Sequence, residues 1–345
     1  MQIGDRQIGL DHPPYIIAEI GVNHDGELSR ALELTDAAAD VGADAVKLQF
    51  FETDRLMSKA AKLAAYQKNA GETDPIEMLR RLELNIDEMA QVVDRAHKRG
   101  IHAVVTVFST ELVEVAETLA WDAYKTASPD IVNRPLLEAL MATGKPMIVS
   151  TGASTLDEVI RAVGWLDGAR DRLAVLQCVS CYPAPDSAMD GIKAIQNAIG
   201  LPTGYSDHTT STLTGREASN HGAVMIEKHL TYDPNAQGPD HRASLSPELM
   251  RQYIVAIDGR SEERTKIQNG AGKQVLDCEC DVREVARQSV VSMREIAPGE
   301  TITSEMLTIK RPGTGILAYE IDTVVGRIAT RAIEQDVPMM EEDLE

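Results

Sequence analysis

The chain is poor in aromatic residues and in long apolar runs, and each shortage excludes a class of protein. Phe, Tyr and Trp make up only 4% of its 345 residues. A core must therefore be built from aliphatic side chains, which suits parallel strands covered by helices on both faces. No apolar run approaches the roughly 18 residues that span a bilayer, and residues 1–5 lack the basic segment of a signal peptide. We expect a cytoplasmic protein with no membrane partner.

Basic residues are also scarce. The chain has 34 Lys and Arg against 54 Asp and Glu, which gives a net charge of −20. A surface this acidic repels a phosphate backbone, so nucleic acid is excluded as a partner. An anionic small substrate would need a local cluster of lysine and arginine that overcomes the charge of the whole protein.

Only four cysteines occur, in the pairs Cys178/Cys181 and Cys278/Cys280. A C-x-x-C pattern is compatible with a zinc or redox site. However, Cys178 lies near the end of an apolar run at 173–179 rather than in a metal-binding turn. We interpret the cysteines as ordinary thiols of a reducing compartment.

Short apolar runs alternate with longer helical patterns over most of the chain. Eight runs predict strands at 15–20, 45–50, 102–107, 123–126, 147–150, 174–179, 203–206 and 224–229. Helical patterns lie at 29–41, 86–99, 109–119, 135–143, 156–166 and 213–221, and several end just before a glycine. Eight β/α units predict an α/β fold, a TIM barrel over residues 1–258. A doubly wound sheet is the alternative, but no G-x-G-x-x-G follows the first strand.

The pattern changes after the barrel. Residues 258–285 are polar and charged, and they predict a barrel-exit helix followed by a linker, which we place at 259–285. Residues 286–345 contain short β-like runs at 289–293, 307–310 and 327–332, separated by Pro-Gly turns. They predict a small β-rich domain that is marginal in size by itself.

In a barrel the active site lies at the carboxyl ends of the strands. Here those ends are polar, and two of them place a lysine, Lys47 or Lys125, within an apolar strand. An unpaired buried charge is costly, which favours a binding role for both lysines. Together with Ser128, Ser150 and Ser206 they could hold a phosphate and a carboxylate.

His208 and His229 end two neighbouring strands. Two imidazoles with several open positions suit a divalent metal that also accepts a substrate oxygen, although two unrelated hydrogen-bonded histidines fit the same pattern. These residues indicate a metal-assisted enzyme for an anionic substrate. An aldolase and a metallohydrolase fit them equally well.

Six segments, in this order along the chain, resemble the sialic acid synthase family, whose products are N-acetylneuraminate, legionaminate and pseudaminate. The segments are IAEIGVNHDG at 17–26, AVKLQ at 45–49, GYSDHT at 204–209, IEKH at 226–229, GPDHRAS at 238–244 and KRPGTG at 310–315. The C-terminal region resembles the antifreeze-like SAF domain, a β-clip, of the same family.

The resemblance implies a condensation of phosphoenolpyruvate with an N-acylated amino sugar, with C–O cleavage and release of phosphate. It assigns three groups of residues. Phosphoenolpyruvate would be bound by Lys47, Thr106, Lys125, Ser128, Ser150 and Ser206. A divalent ion, manganese with magnesium or cobalt as alternatives, would be held by His208 and His229. The sugar and the proton transfers would involve Glu19, Gln49, Tyr182, Glu227 and Asp240.

The resemblance also implies that Arg311 reaches from the SAF domain of one subunit into the barrel of its partner, in a domain-swapped homodimer. Two positions depart from the family. Ala127-Ser128-Pro129-Asp130 replaces a Gly-Ser-Gly-Glu pattern, and Ser180 stands where some members carry Asn. Both are expected to contact substrate, so they bear on the identity of the sugar.

The segment AYQK at 65–68 resembles synthases of the neuraminate and legionaminate type, and it favours N-acetylmannosamine or its 2,4-diacetamido trideoxy analogue over a 6-phosphate. Two other functions remain as alternatives. One is another metal-dependent synthase or aldolase that uses phosphoenolpyruvate on the same barrel, and the other is an inert barrel that carries an ice- or carbohydrate-binding module.

Overall fold

The structure, a computed structural model, describes residues 1–258 and 272–345. Its centre is a closed barrel of eight parallel strands, in which the last strand along the chain pairs with the first. The barrel strands are β3 (Tyr15–Gly21), β4 (Ala45–Phe50), β5 (His102–Val107), β6 (Ala123–Thr126), β7 (Met147–Ser150), β8 (Leu173–Cys178), β9 (Thr203–Asp207) and β10 (Met225–His229). The predicted TIM barrel is confirmed, and no strand differs from its predicted bounds by more than one residue.

Helices cover the barrel and fill its loops. They are α1 (Leu28–Val41), α2 (Thr53–Leu56), α3 (Ala65–Asn69), α4 (Pro75–Arg80), α5 (Ile86–Lys98), α6 (Glu111–Ala116), α7 (Arg134–Ala142), α8 (Leu156–Trp165), α9 (Asp190–Ile199), α10 (Thr214–Asn220), α11 (Pro247–Asp258), α12 (Cys280–Ala286) and α13 (Ile321–Val324). Within the described ranges, no helix is both long and apolar enough to cross a membrane.

Three of these helices correct the sequence interpretation. Helix α6 is shorter than the predicted 109–119, because both of its ends close into tighter turns in which amide groups bond three residues back, as from Leu119 to Ala116. The barrel-exit helix, expected after residue 258, is α11 and ends there. Of the predicted linker 259–285, residues 259–271 lie outside the described residues. The described part, 272–285, is not all linker, because α12 begins at Cys280.

The interior of the barrel has an apolar lower layer at the amino ends of the strands. A hairpin of β1 (Gln2–Ile3) and β2 (Arg6–Gln7), which the sequence interpretation missed, closes this end. Its Ile3 and Ile8 are buried in the same cluster as the lower layer. That layer consists of Tyr15, Ile17, Ala45, Val104, Ala123, Ile148, Ala174, Leu176, Val224 and Met225. With the lower end sealed, only the upper end of the barrel is left for a binding site.

The C-terminal domain is built on two antiparallel strands, β11 (Ser289–Ser292) and β12 (Leu307–Lys310), around a small aliphatic core. The predicted strand at 327–332 is wrong, because this stretch makes only isolated bridges, through Ile328 and Ala329. The domain lies on the upper end of the barrel, where the backbones of Arg311 and Leu56 hydrogen-bond at 2.9 Å.

Candidate active site

A cavity opens at the carboxyl ends of the barrel strands, beneath the C-terminal domain. Every predicted site residue except Asp130 and Ser206 lines it. The lining residues that were predicted are Glu19, Lys47, Gln49, Thr106, Lys125, Ser128, Ser150, Ser180, Tyr182, His208, Glu227, His229, Asp240 and Arg311. The strand ends of the barrel and one distant loop therefore meet at one place.

The floor of the cavity is a buried cluster of two lysines and two glutamates. Lys47 contacts Glu19 and lies 3.9 Å from Glu227, and Lys125 lies 3.0 Å from Glu227. Lys47 also donates a hydrogen bond to Thr106 at 3.1 Å. Each of these charges has an opposite charge beside it, which offsets the cost of removing it from water.

The two glutamates differ in proton affinity. Burial raises the pKa of Glu19, and this effect outweighs the nearby Lys47. Burial acts on Glu227 as well, but Lys125 and Lys47 together hold its pKa well below the ordinary range. A pair of carboxyl groups whose pKa values are driven apart can divide acid and base roles between them.

The cavity is not the cationic pocket that the sequence indicated. Among its described lining residues, the cations Lys47, Lys125 and Arg311 are matched in number by the carboxylates Glu19, Glu227 and Asp240. Bringing in an anion therefore requires another source of positive charge, such as a metal ion or a proton on a carboxylate.

A cradle of small polar groups occupies the side formed by β6, β7 and β8. The Ser128 hydroxyl lies 3.0 Å from the Ser150 hydroxyl and accepts a hydrogen bond from the Gly152 amide at 2.9 Å. A Cβ atom at Gly152 would lie 2.1 Å from the Ser180 hydroxyl oxygen, so any larger residue there would displace the Ser180 side chain. Closely spaced hydroxyl and amide groups of this kind suit a phosphate.

The two histidines lie side by side, with ring centroids 5.3 Å apart. Nδ1 of His208 is bonded to the Val179 carbonyl at 2.7 Å, which leaves Nε2 on the side of Ser206, 3.4 Å from its hydroxyl. Nδ1 of His229 is buried without a hydrogen-bond partner in the described structure. Two buried imidazoles with nitrogen atoms to spare fit a divalent ion that keeps open positions. In the described residues no third His, Cys, Asp or Glu completes a ligand cluster.

The two residues that do not line the cavity lie directly behind it. Ser206 donates a hydrogen bond to Glu227 at 2.7 Å and so supports the carboxylate. Asp130 is fully buried, and burial raises its pKa to about 7 against the opposing effect of Arg311. Asp130 Oδ1 and Arg311 Nε both lack a hydrogen-bond partner in the described chain.

The sequence interpretation assigned no role to an apolar wall of the cavity. It comes from the long connection between β4 and α5 and from the ends of β3, β4 and β5, where periodicity gives no functional signal. Its members are Val22, Phe51, Leu56, Met78, Leu79, Leu82 and Phe108. Tyr66 of α3 adds an aromatic face, with its ring centroid 4.8 Å from that of Tyr182.

Together, these features define a (β/α)8-barrel enzyme whose charged and hydroxyl-rich site is covered by a small β domain. A family profile for NeuB matches residues 34–268, and one for the SAF domain matches residues 287–345. The chain belongs to the NeuB family. The predicted resemblance to the sialic acid synthases, and the prediction of an enzyme with a SAF domain, are confirmed.

The similar proteins match between three-quarters and all of this chain. It is 35% identical to the N,N'-diacetyllegionaminic acid synthase of Legionella pneumophila, over 99% of this chain and 98% of that protein. The crystal structure of the spore coat polysaccharide biosynthesis protein SpsE from Bacillus subtilis superposes with a TM-score of 0.84 at 27% identity, covering 100% of this chain and 99% of the other. The N-acetylneuraminic acid synthetase of Leptospira borgpetersenii gives a TM-score of 0.67 at 29% identity, over 75% and 87% of the two chains.

Proposed function

We propose that this protein condenses phosphoenolpyruvate with an N-acylated amino sugar to form a nonulosonate. The methylene carbon of phosphoenolpyruvate would attack the sugar aldehyde, water would add to C2, and the tetrahedral product would lose phosphate by C–O cleavage. The observation that carries the proposal is the pairing, in one cavity, of a hydroxyl cradle with two buried lysines. This arrangement suits a substrate that carries both a phosphate and a carboxylate.

The cradle of Ser128, Ser150 and Gly152 would receive the phosphate, and Lys125 lies on the same side of the cavity. Lys47 and Thr106 would receive the carboxylate. Both lysines already pair with a glutamate, so an anionic group of the substrate would have to replace a glutamate carboxylate as the partner of a lysine. This exchange favours a site in which one glutamate is protonated.

Glu19 is the carboxyl group best placed to carry that proton, because burial raises its pKa. A neutral Glu19 would release Lys47 for the substrate and could return the proton during the reaction. Glu227 would stay ionised between the lysines and stabilise positive charge developing at C2. The two glutamates thereby receive distinct roles that the sequence left open.

His208 and His229 would hold a divalent ion, with manganese as the predicted metal and magnesium or cobalt as alternatives. The ion would supply Lewis acidity to the aldehyde oxygen of the acceptor. The Val179 carbonyl would fix the orientation of the His208 ring for metal binding, because it is hydrogen-bonded to Nδ1 and leaves Nε2 available.

The acylamino group of the sugar would lie against Arg311, whose unpartnered Nε atom matches an amide C=O. The apolar wall favours an acceptor that ends in a methyl group over one that ends in a phosphate. Similarity to a diacetyllegionaminic acid synthase points the same way. We therefore expect 2,4-diacetamido-2,4,6-trideoxymannose as the preferred acceptor, ahead of N-acetylmannosamine.

The test is phosphate release from phosphoenolpyruvate with a panel of acceptors, with manganese and then with EDTA. The panel contains the trideoxy sugar, N-acetylmannosamine, its 6-phosphate and arabinose 5-phosphate. Metal-dependent release with an unphosphorylated acylated sugar is expected. The proposal would be contradicted if phosphate were released only with arabinose 5-phosphate, or if none of the sugars in the panel led to phosphate release.

The predicted domain-swapped homodimer is a separate proposal. In the single described chain, Arg311 enters the cavity of its own barrel, and an exchanged dimer would make the same contacts between two chains. Mixing an Arg311→Ala variant with a Glu227→Gln variant tests the exchange. Only in an exchanged dimer does one of the mixed sites contain both native residues, so restored activity supports the exchange and continued inactivity contradicts it.

The cytoplasmic location also stays a prediction. It is supported by the four cysteines, all of which lie in the described residues as free thiols, as expected in a reducing compartment. Secretion of the protein into an oxidising compartment should then lower its specific activity relative to cytoplasmic expression. Equal specific activity from both routes would count against the prediction.

A further inference from the structure

The loop that follows β7 contains a strained residue next to the hydroxyl cradle. Ala153 has a φ of 52°, in the left-handed region that a residue with a Cβ atom rarely adopts. It follows Gly152, whose amide bonds to Ser128, and it is 5% exposed. Backbone strain of this kind persists only where surrounding contacts enforce it, and it concentrates at functional sites.

The contacts that enforce it come from outside the barrel. The Ala153 amide donates to Glu279 at 2.6 Å, and its carbonyl accepts from Arg283 at 2.6 Å and from Arg287 at 3.2 Å. Among the described residues, both polar backbone groups of Ala153 are satisfied only by this segment, residues 279–287, which we call the brace. The brace precedes the C-terminal domain and includes α12.

The same glutamate reaches a second loop of the cradle. Oε1 of Glu279 also accepts the Ser180 amide at 2.7 Å, and Oε2 accepts the Leu276 amide at 2.9 Å. Glu279 is 1% exposed, so its carboxylate is fully committed to these backbone groups. One buried oxygen therefore ties the loops after β7 and β8 to each other on the side where Ser150, Gly152 and Ser180 meet.

The brace is itself anchored to the barrel. Arg283 and Arg287 bind Glu158 of α8 at 2.8 Å and 2.7 Å, and Arg287 is almost fully buried. Two guanidinium groups on one carboxylate make a rigid charge-assisted joint. The brace can therefore transmit a fixed geometry to Ala153 instead of following its movements.

We propose that Glu279 is a positioning residue for the binding of phosphoenolpyruvate. Together with the arginines of the brace, Glu279 holds the loop after β7 in the strained conformation that shapes the phosphate cradle. The inference rests on the proposed function, because that function assigns phosphate to the cradle. Glu279 touches no substrate in this scheme, and it acts through Ala153 and Ser180. Loss of the brace contact should weaken binding of phosphoenolpyruvate and spare the chemical step.

The experiment compares Glu279→Ala with Glu279→Gln in the full-length protein, by steady-state phosphate release and by binding of phosphoenolpyruvate alone in calorimetry. Glu279→Ala should raise the KM for phosphoenolpyruvate about 30-fold, since two buried amide groups lose their acceptor. Its kcat and its KM for the sugar should stay within about threefold of the native values. Glu279→Gln keeps an acceptor oxygen and should stay close to native.

A second substitution distinguishes positioning from general damage. Ala153→Gly removes the backbone strain, so in the Glu279→Ala background it should recover about fivefold of the lost affinity for phosphoenolpyruvate. Ala188→Gly is the matched control, because Ala188 also has a positive φ, of 46°, but its backbone groups hydrogen-bond to Asp186, Gln177 and Gly191 rather than to the brace. The control should recover nothing.

Three results would overturn the inference: an unchanged KM for phosphoenolpyruvate in Glu279→Ala, equal losses of kcat and of both KM values, or equal recovery by both glycine variants. If Glu279→Ala does not fold, Arg283→Lys is compared with Glu279→Gln instead, and native affinity for phosphoenolpyruvate in Arg283→Lys would count against the brace. A native protein that releases no phosphate with any sugar overturns the proposed function first, and this inference with it.

Discussion

The two layers inside the barrel come from the same strands and the same inward face, yet they have opposite chemistry. In six of the eight strands a lower-layer residue is followed, two positions later, by an upper-layer residue, because side chains alternate along a strand. The pairs are Ile17 and Glu19, Ala45 and Lys47, Val104 and Thr106, Ala123 and Lys125, Ile148 and Ser150, and Met225 and Glu227.

Each layer is suited to what closes it. The hairpin of β1 and β2 seals the lower layer with Ile3 and Ile8, so close packing of aliphatic groups is the stable solution there. The upper layer opens into the cavity beneath the C-terminal domain, where buried charges are stabilised by each other and by the ligand. The lower layer thus serves stability, and the upper layer serves binding at some cost to stability.

The largest effect is expected from a substitution in the upper layer. Glu227→Gln keeps the size of the side chain but removes the negative charge between Lys47 and Lys125, and it should lower the rate of phosphate release about 1,000-fold. Glu117→Gln is the matched control, because Glu117 also pairs with a lysine, Lys145 at 2.8 Å, but outside the cavity. It should leave the rate unchanged, and a similar loss in both variants would contradict the assignment.

The next effect concerns the cost of burying charge at the upper end. The pKa of Asp130 is about 7 in the folded protein and 3.8 for the free side chain, so the folded state binds the proton more tightly. Stability should therefore fall as pH rises from about 4 to about 7. Asp130→Asn removes this dependence, and its advantage over the native protein should grow from pH 5 to pH 8, reaching on the order of 4 kcal/mol.

Urea unfolding of the native protein and of the Asp130→Asn variant at both pH values, without substrate, measures this difference. An advantage for the variant that is equal at pH 5 and pH 8 would show that the carboxyl group titrates normally. Asp130→Asn retains an acceptor for the Ala127 amide, so loss of that hydrogen bond does not complicate the comparison.

The smallest effect tests the lower layer alone. Ile148 is fully buried two residues before Ser150, and Ile148→Ala should lower the free energy of unfolding by about 3 kcal/mol. The rate of phosphate release per folded molecule should stay within about threefold of the native rate. A large loss of activity in the folded variant would show that the two layers are not separable.

Much of this site could be predicted from sequence because barrel topology brings the strand ends together. Once Lys47, Lys125, His208 and Glu227 are assigned to the carboxyl ends of parallel strands, their meeting in one cavity follows from the fold. The place of the apolar wall, including Leu56, was out of reach, because a long connection without periodicity says nothing about which barrel loop it covers. The segment AYQK at 65–68 gave a resemblance but no position in the fold.

The charge balance of the cavity also required the structure. The sequence places two lysines in apolar strands, but only the packed barrel shows that Glu19 and Glu227 neutralise them. A local pattern has no information about partners from strands that are distant in the chain. The same limit applies to the brace, where Glu279 lies 126 residues from Ala153.

The sequence by itself determined the barrel, the small β domain and the residue types available at the strand ends, because periodicity and alternation are local properties of the chain. The tertiary structure decided which charges pair, which carboxyl group keeps a proton and which loop is held under strain. These properties depend on burial and on distances between atoms from different elements, and they exist only after the chain has folded.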